Sequence, residues 1–174
     1  AIPFFILAGD LMNRAKITDS LVNFAKLLVG RIPGAMAQVT VVCSVFFAGI
    51  TGSGVADVAA LGSVLIPAMK KEGYTADYAA AITVAGSVIG PIIPPSIIMV
   101  VYSMTTGESV GALFAAGFVP GLAIGLSLMI MSYFFAIRNN HPRRTERIPL
   151  PVAVVTVRKS LIALMCPIVL VGGI

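Results

Sequence analysis

The stretch GSVIGPIIPPSIIMV, residues 86–100, places Pro91, Pro94 and Pro95 inside an apolar run that would otherwise read as one helix. Proline has no N–H, so these three withdraw the donors that a helix would have offered to the carbonyls of Ser87, Gly90 and Pro91, four residues earlier. The residue before each proline, here Gly90, Ile93 and Pro94, is also pushed away from helical angles. A single proline kinks a membrane helix and leaves its neighbours to satisfy the freed groups. Three of them beside glycine predict two half-helices joined by an unwound segment. The second half is expected to restart with Pro95 near its first turn, beside the hydroxyl of Ser96.

The rest of the chain sets that break in a bilayer. The 174 residues are 58% hydrophobic and 11% charged, with a mean hydropathy of +1.01, against about a quarter charged in an ordinary soluble domain. Residues 78–107 and 109–137 carry no charge, and each run exceeds the ~20 residues that cross the hydrocarbon layer as a helix. The chain begins without Met in an apolar run and stops at VLVGGI, so it reads as a piece of something larger, and signal-peptide arguments do not apply.

The net charge of +5 points to the membrane surface rather than to nucleic acid because of where the cations fall. Arg14 with Lys16, Lys26 with Arg31, Lys70 with Lys71, Arg138 with Arg143, Arg144 and Arg147, and Arg158 with Lys159 each border an apolar segment. Cytoplasmic flanks look like this under the positive-inside rule. With every cation on one side, the topology is all-α and multi-pass. Residues 1–17 end a transmembrane helix, and 18–32 form an interfacial cytoplasmic helix with Thr18 as its cap. Residues 33–69 leave and return to the same side. Residues 76–106 cross outward as the discontinuous helix, and 108–137 cross back. Residues 138–159 are a cytoplasmic basic loop, and 160–174 start the next crossing.

Residues 33–69 cannot comfortably cross twice. Their two arms, GAMAQVTVVCSVFFAGI and VADVAALGSVLIPAM, are each about 25 Å long as helices, short of the ~30 Å core. Between them lies Thr51-Gly52-Ser53-Gly54, a helix breaker. A re-entrant hairpin with this tip inside the membrane is the expectation, and backbone at that depth is tolerated only where it is buried in protein or lines an aqueous cavity.

Two broken elements in one chain are the mark of a secondary transporter, whose ion and substrate sites sit at discontinuous helices. Helix C-terminal ends and unwound carbonyls suit a small cation, and helix N-terminal ends suit an anionic group. Oxygen ligands from backbone carbonyls and from the hydroxyls of Thr51, Ser53, Ser87 and Ser96 suit a hard cation and exclude a soft-metal site. Glycine and other small residues are dense in 48–63 and 79–90, which lets hairpin and broken helix approach closely.

FFAGITGSGVADVAALGSVLIPAMKKEGY, residues 46–74, and AGSVIGPIIPPSIIMVVYSMTTGESVGALFAAGFVPG, residues 85–121, resemble the large membrane subunit of the tripartite ATP-independent periplasmic (TRAP) transporters, bacterial importers of dicarboxylates and sialic acids. The resemblance covers essentially the whole chain and is specific at those two blocks. It implies the first of two inverted repeats in a sodium-driven elevator, working in the bacterial inner membrane without cofactors other than the coupling ion. The implied partners are a small membrane subunit, a periplasmic substrate-binding protein, an organic anion and the lipid bilayer, with no nucleic acid. It further implies a sodium site at Thr51, Gly52, Ser53, Gly54, Gly86, Ser87, Gly90 and Pro94, substrate contacts at Ser53, Pro95 and Ser96, and a scaffold role for 108–137. A second sodium site and about half of the substrate contacts would lie in the missing repeat.

Asp57 is a carboxylate at membrane depth, which costs about 2.5–3.5 kcal/mol on insertion scales if nothing compensates. It falls in the first turn of the second arm, where the helix dipole favours it. It is expected either to serve that end alone or to line the cavity and help balance sodium, without being a direct ligand. His141, the single histidine, lies in the basic loop and is assigned no catalytic or metal role. Cys43 and Cys166 read as small hydrophobes, the methionines as packing, and Asp10 as interfacial. The competing classes are an intramembrane protease and a passive channel. The first lacks a base near Ser53 and has Asp10 and Asp57 at different depths. The second would show neither saturation nor coupled dependence on ion and substrate.

Overall fold

The computed structural model of the chain describes residues 17–139, 141 and 157. The expectations for 1–17, 138–159 and 160–174, with the roles of Asp10 and Cys166, fall almost wholly outside these residues. Among the described residues the elements are all helices: α1 (Ile17–Val29), α2 (Ala35–Thr51), α3 (Gly54–Lys71), α4 (Ala76–Ser87), α5 (Ile97–Thr106) and α6 (Val110–Arg138).

The hairpin is α2 and α3. Helix α2 stops because Gly52 adopts φ 60°, a left-handed C-cap whose N–H donates to the Ala48 carbonyl at 3.1 Å. Ser53 is extended and opens α3, so the chain reverses in two residues. At 17 and 18 residues the arms are about 25 and 27 Å long, still below the ~30 Å core. Helix α3 runs on to Lys71, so both lysines sit in its last turn, where positive charge meets the negative end of the dipole.

The apolar segment 76–106 is broken where the prolines stand. Helix α4 starts on Thr75, whose hydroxyl accepts from the Tyr78 N–H at 3.3 Å, and ends at Ser87. Eight irregular residues follow before the Ser96 cap of α5. Pro95 stands outside α5 rather than in its first turn, because Ser96 takes the cap position and the first helical residue is Ile97. The freed carbonyls also find local partners. Ser87 O accepts from the Gly90 N–H at 3.0 Å, and Pro91 O accepts from the Ser96 hydroxyl at 2.7 Å.

Helix α1 runs Ile17–Val29, so Thr18 lies within it rather than capping it, and it stops short of residue 32. Its buried stripe of Leu21, Val22, Ala25 and Val29 packs with Met36, Val39, Cys43 and Phe47 of α2, and Phe24 meets Phe46 at a ring separation of 5.6 Å.

Helix α6 has 29 residues, long and apolar enough to cross a membrane. One face bears Gly117, Gly121, Gly125, Ser132 and Ala136, all buried. A methyl at Gly121 would stand 2.4 Å from Ile93 of the break, and one at Gly125 would stand 3.0 Å from Val45 of α2. One turn beyond, Gln38 of α2 is buried and donates to the Met129 carbonyl at 2.8 Å and to the Ser132 hydroxyl at 2.9 Å. The opposite face exposes Val119, Leu126, Ile130 and Phe134. The small-residue face is packed against hairpin and break along most of its length.

Candidate functional site at the hairpin tip and the helix break

The tip docks on the break through positions that have no room for a side chain. A Cβ at Gly52 would stand 2.3 Å from the Pro95 carbonyl, one at Gly54 2.8 Å from the Ser87 carbonyl, and one at Gly86 2.5 Å from the Ser44 hydroxyl. The Ile97 N–H, at the start of α5, points at the Gly52 carbonyl at 3.4 Å. Only glycine brings the two backbones this close while also permitting the positive φ at residue 52.

This docking gathers four helix ends around one cavity of about 410 Å³. Gly52 brings the C-terminal end of α2, and Ser87 with Val88 that of α4. Gly54 and Val55 bring the N-terminal end of α3, and Ile97 with Ile98 that of α5. Ser53 and Pro91 complete the wall. Among the described residues no charged side chain lines the cavity, and its electrostatics come from backbone dipoles: partial negative charge from α2 and α4, partial positive from α3 and α5. The side chain of Ser53 makes no capping bond to α3, which leaves its hydroxyl available to a ligand.

Of the residues expected at the site, Gly52, Ser53, Gly54 and Ser87 line the cavity, whereas Thr51, Asp57, Gly86, Gly90, Pro94, Pro95 and Ser96 do not. Pro94 and Pro95 are buried behind the wall. Ser96 is 1% exposed, with its hydroxyl committed both to Pro91 O and to the Met99 N–H at 3.2 Å. Ser87 donates its hydroxyl to the Val84 carbonyl at 2.7 Å, and a serine oxygen keeps acceptor capacity when it donates.

Asp57 is fully buried in the first turn of α3. One carboxylate oxygen accepts from the Thr51 hydroxyl, which closes the tip across its own turn. The other, Oδ2, has no hydrogen-bond partner among the described residues and faces Gly90, where an added Cβ would lie 2.5 Å away. The expected place on the cavity wall is therefore replaced by one just behind it, between tip and break.

Sequence reasoning passed over Val55, Val88, Ile97 and Ile98, which form much of the wall. Nothing sets them apart in a sequence rich in such residues. It also passed over Gln38, although a lone amide in GAMAQVTVV was a visible signal.

Helix ends meeting at a cavity between two broken elements are the build of a secondary transporter of the membrane-permease class. The whole chain, residues 1–174, matches the family described as "Tripartite ATP-independent periplasmic transporter, DctM component", and the chain belongs to that family. It is 39% identical over its full length to the sialic acid TRAP transporter large permease protein SiaM of Vibrio cholerae, of which it covers 40%. It is 42% identical over its full length to the isethionate TRAP transporter permease protein DctMQ of Oleidesulfovibrio alaskensis, of which it covers 27%. Over 47% of its length it is 38% identical to the C4-dicarboxylate TRAP transporter large permease protein DctM of Rhodobacter capsulatus, 19% of which is matched. The chain thus spans less than half the length of these relatives.

Proposed function

We propose that this chain forms half of the transport core of a sodium-coupled importer of small organic anions, with sodium held between the hairpin tip and the helix break. The carrying observation is the cavity walled by two helix C-terminal ends and two helix N-terminal ends. The C-terminal ends of α2 and α4 suit a cation, and the N-terminal ends of α3 and α5 suit the anionic group of a substrate. The relatives are named for sialic acid, isethionate and C4-dicarboxylates, which share a negatively charged group. Ser53, with its uncommitted hydroxyl on the cavity wall, is the side chain best suited to either ligand. Thr51, Gly86, Gly90, Pro94, Pro95 and Ser96 act by shaping the tip and the break, and Asp57 supplies negative charge behind the cation.

The hairpin is re-entrant in this reading, with its tip at membrane depth, and the protein is a multi-pass inner-membrane permease. It works with a small Q-type membrane subunit and a periplasmic binding protein, by elevator-type movement of hairpin and broken helix. We infer that α6 moves with them instead of belonging to the scaffold. Breaking the buried bonds of Gln38 to Met129 and Ser132 at every cycle would leave a polar amide unpaired in an apolar setting. The test is uptake of a labelled dicarboxylate or sialic acid by the full-length protein in liposomes with its binding protein, as a function of external sodium. Steep, saturable dependence on sodium is expected; uptake indifferent to sodium, or a non-saturating flux, would overturn the reading in favour of another ion or a channel.

A further inference from the structure

The end of the helical unit far from the cavity is closed by an aromatic cluster around His141. Beyond Arg138 the chain folds back: the Asn139 N–H donates to Phe135 O, and the His141 N–H donates to Ala136 O, both at 2.9 Å. The imidazole then packs against two rings, its centroid 4.7 Å from that of Tyr74 and 4.7 Å from that of Tyr78, inclined by 57° and 61°. Tyr74 and Tyr78 stack on each other at 6.0 Å, and Tyr78 reaches Phe135 of α6 at 6.3 Å. The cluster joins the α3–α4 turn, the first turn of α4 and the last turn of α6.

The imidazole is held by packing rather than by hydrogen bonds from its ring. Its Nδ1 is buried without a partner among the described residues, as is the hydroxyl of Tyr78, whereas the Tyr74 hydroxyl is directed at the backbone of Met36 and Ala37 at the start of α2. A neutral ring fits such a place, whereas an imidazolium brings a second N–H that needs an acceptor. Among the described residues, the charged groups on the surrounding elements are Lys70 and Lys71 at the end of α3, Glu72 in the turn, Asp77 in α4 and Arg138 in α6; the facing end of α2, residues 34–38, has none. All but the half-buried Glu72 are exposed, and cations outnumber acids among them, so none offers the ring a buried counter-charge.

We propose that His141 is an acid-released clasp: neutral, it pins Asn139 and itself onto the α3–α4 turn, and protonated, it lets go of that turn. Burial lowers the imidazole pKa from its usual value, and the sign follows. Well above about pH 6.5 the ring is neutral in both forms and the clasp is complete. As pH falls below that value the released form takes up a proton that the clasped form resists, and the clasp weakens until the lower, clasped pKa is reached. Cation–π attraction from the two tyrosines works in the opposite sense, but burial without an acceptor sets the direction of the shift.

The test is hydrogen exchange read by mass spectrometry on the full-length protein in lipid nanodiscs, following the peptide that contains the amides of Asn139 and His141. Between about pH 7.5 and about pH 5.5, the protection factor corrected for intrinsic exchange should fall by up to about tenfold per unit of pKa shift in wild type. It should stay level in His141→Phe, which keeps an aromatic ring but cannot titrate. His141→Gln keeps the comparison in hand if the phenylalanine variant packs badly. A level wild-type profile overturns the proposal, and so does a fall shared by the non-titrating variants. The readout involves no transport, so its failure leaves the sodium reading untouched and the reverse also holds.

Discussion

Gly90 and Asp57 meet face to face: a methyl group added at residue 90 would stand 2.5 Å from the Asp57 Oδ2, the carboxylate oxygen that has no hydrogen-bond partner among the described residues. The break thereby touches the one buried acid of the hairpin through a residue with no side chain, 3.0 Å from the Gly54 N–H and 3.1 Å from the Ser87 carbonyl by the same measure. Hairpin tip, break and carboxylate form one joint.

Gly90→Ala should therefore behave as an overpacking change with no soft neighbour, since two of the three atoms it meets are backbone. A loss of about 1–3 kcal/mol is expected, read as a lowered melting temperature of the full-length protein in detergent. Transport should fall with it.

Ser53→Ala and Ser96→Ala should separate site from scaffold. Ser53 lines the cavity and caps nothing, so its alanine variant should fold normally and need more sodium or more substrate for half-maximal uptake. Ser96 caps α5 and holds Pro91 O, so its loss should destabilise by about 0.5–2 kcal/mol, with a smaller effect on sodium dependence once folded protein is counted. Thermal melts beside uptake curves distinguish the two.

Asp57→Asn keeps an acceptor for the Thr51 hydroxyl and removes the charge behind the cavity. Folding should survive while sodium affinity drops, by at least severalfold if the carboxylate balances the cation across a low-dielectric wall. Unchanged sodium affinity and transport would leave Asp57 with only its place at the α3 N-terminus.

A disulfide tests whether α6 travels with the hairpin. A Cβ at Gly125 would lie 3.0 Å from Val45 Cγ2, so cysteines at these two positions, in a background without Cys43 and Cys166, fall within the reach of a disulfide. Cross-linked protein should retain most of its uptake. Uptake abolished by oxidation and restored by reduction would return α6 to the scaffold.

The two breaks were legible because their causes are local. Prolines 91, 94 and 95 remove donors whatever surrounds them, and Gly52 supplies a positive φ that ends α2 in place. Helix α6 was legible by length and lack of charge. The fine structure of the site was less so, because it depends on contacts between distant segments. Nothing near residue 96 tells that its hydroxyl turns back to Pro91, and nothing near residue 57 tells that Gly90 will cover its free oxygen. Gln38 was a local anomaly, but its partners lie 91 and 94 residues away. The glycine stripe at 117, 121 and 125 has a helical spacing that reads equally as a lipid-facing or a packed face. Its partners, Ile92, Ile93 and Val45, decide which.

The most direct test of the central claim is equilibrium binding of radiolabelled sodium to the purified full-length protein, wild type against Ser53→Ala and Asp57→Asn, with melting temperatures measured alongside. Saturable binding in wild type, weakened in both variants without loss of stability, is the predicted result and puts the coupling ion at the hairpin tip and the break. Binding of equal strength in all three proteins would contradict it.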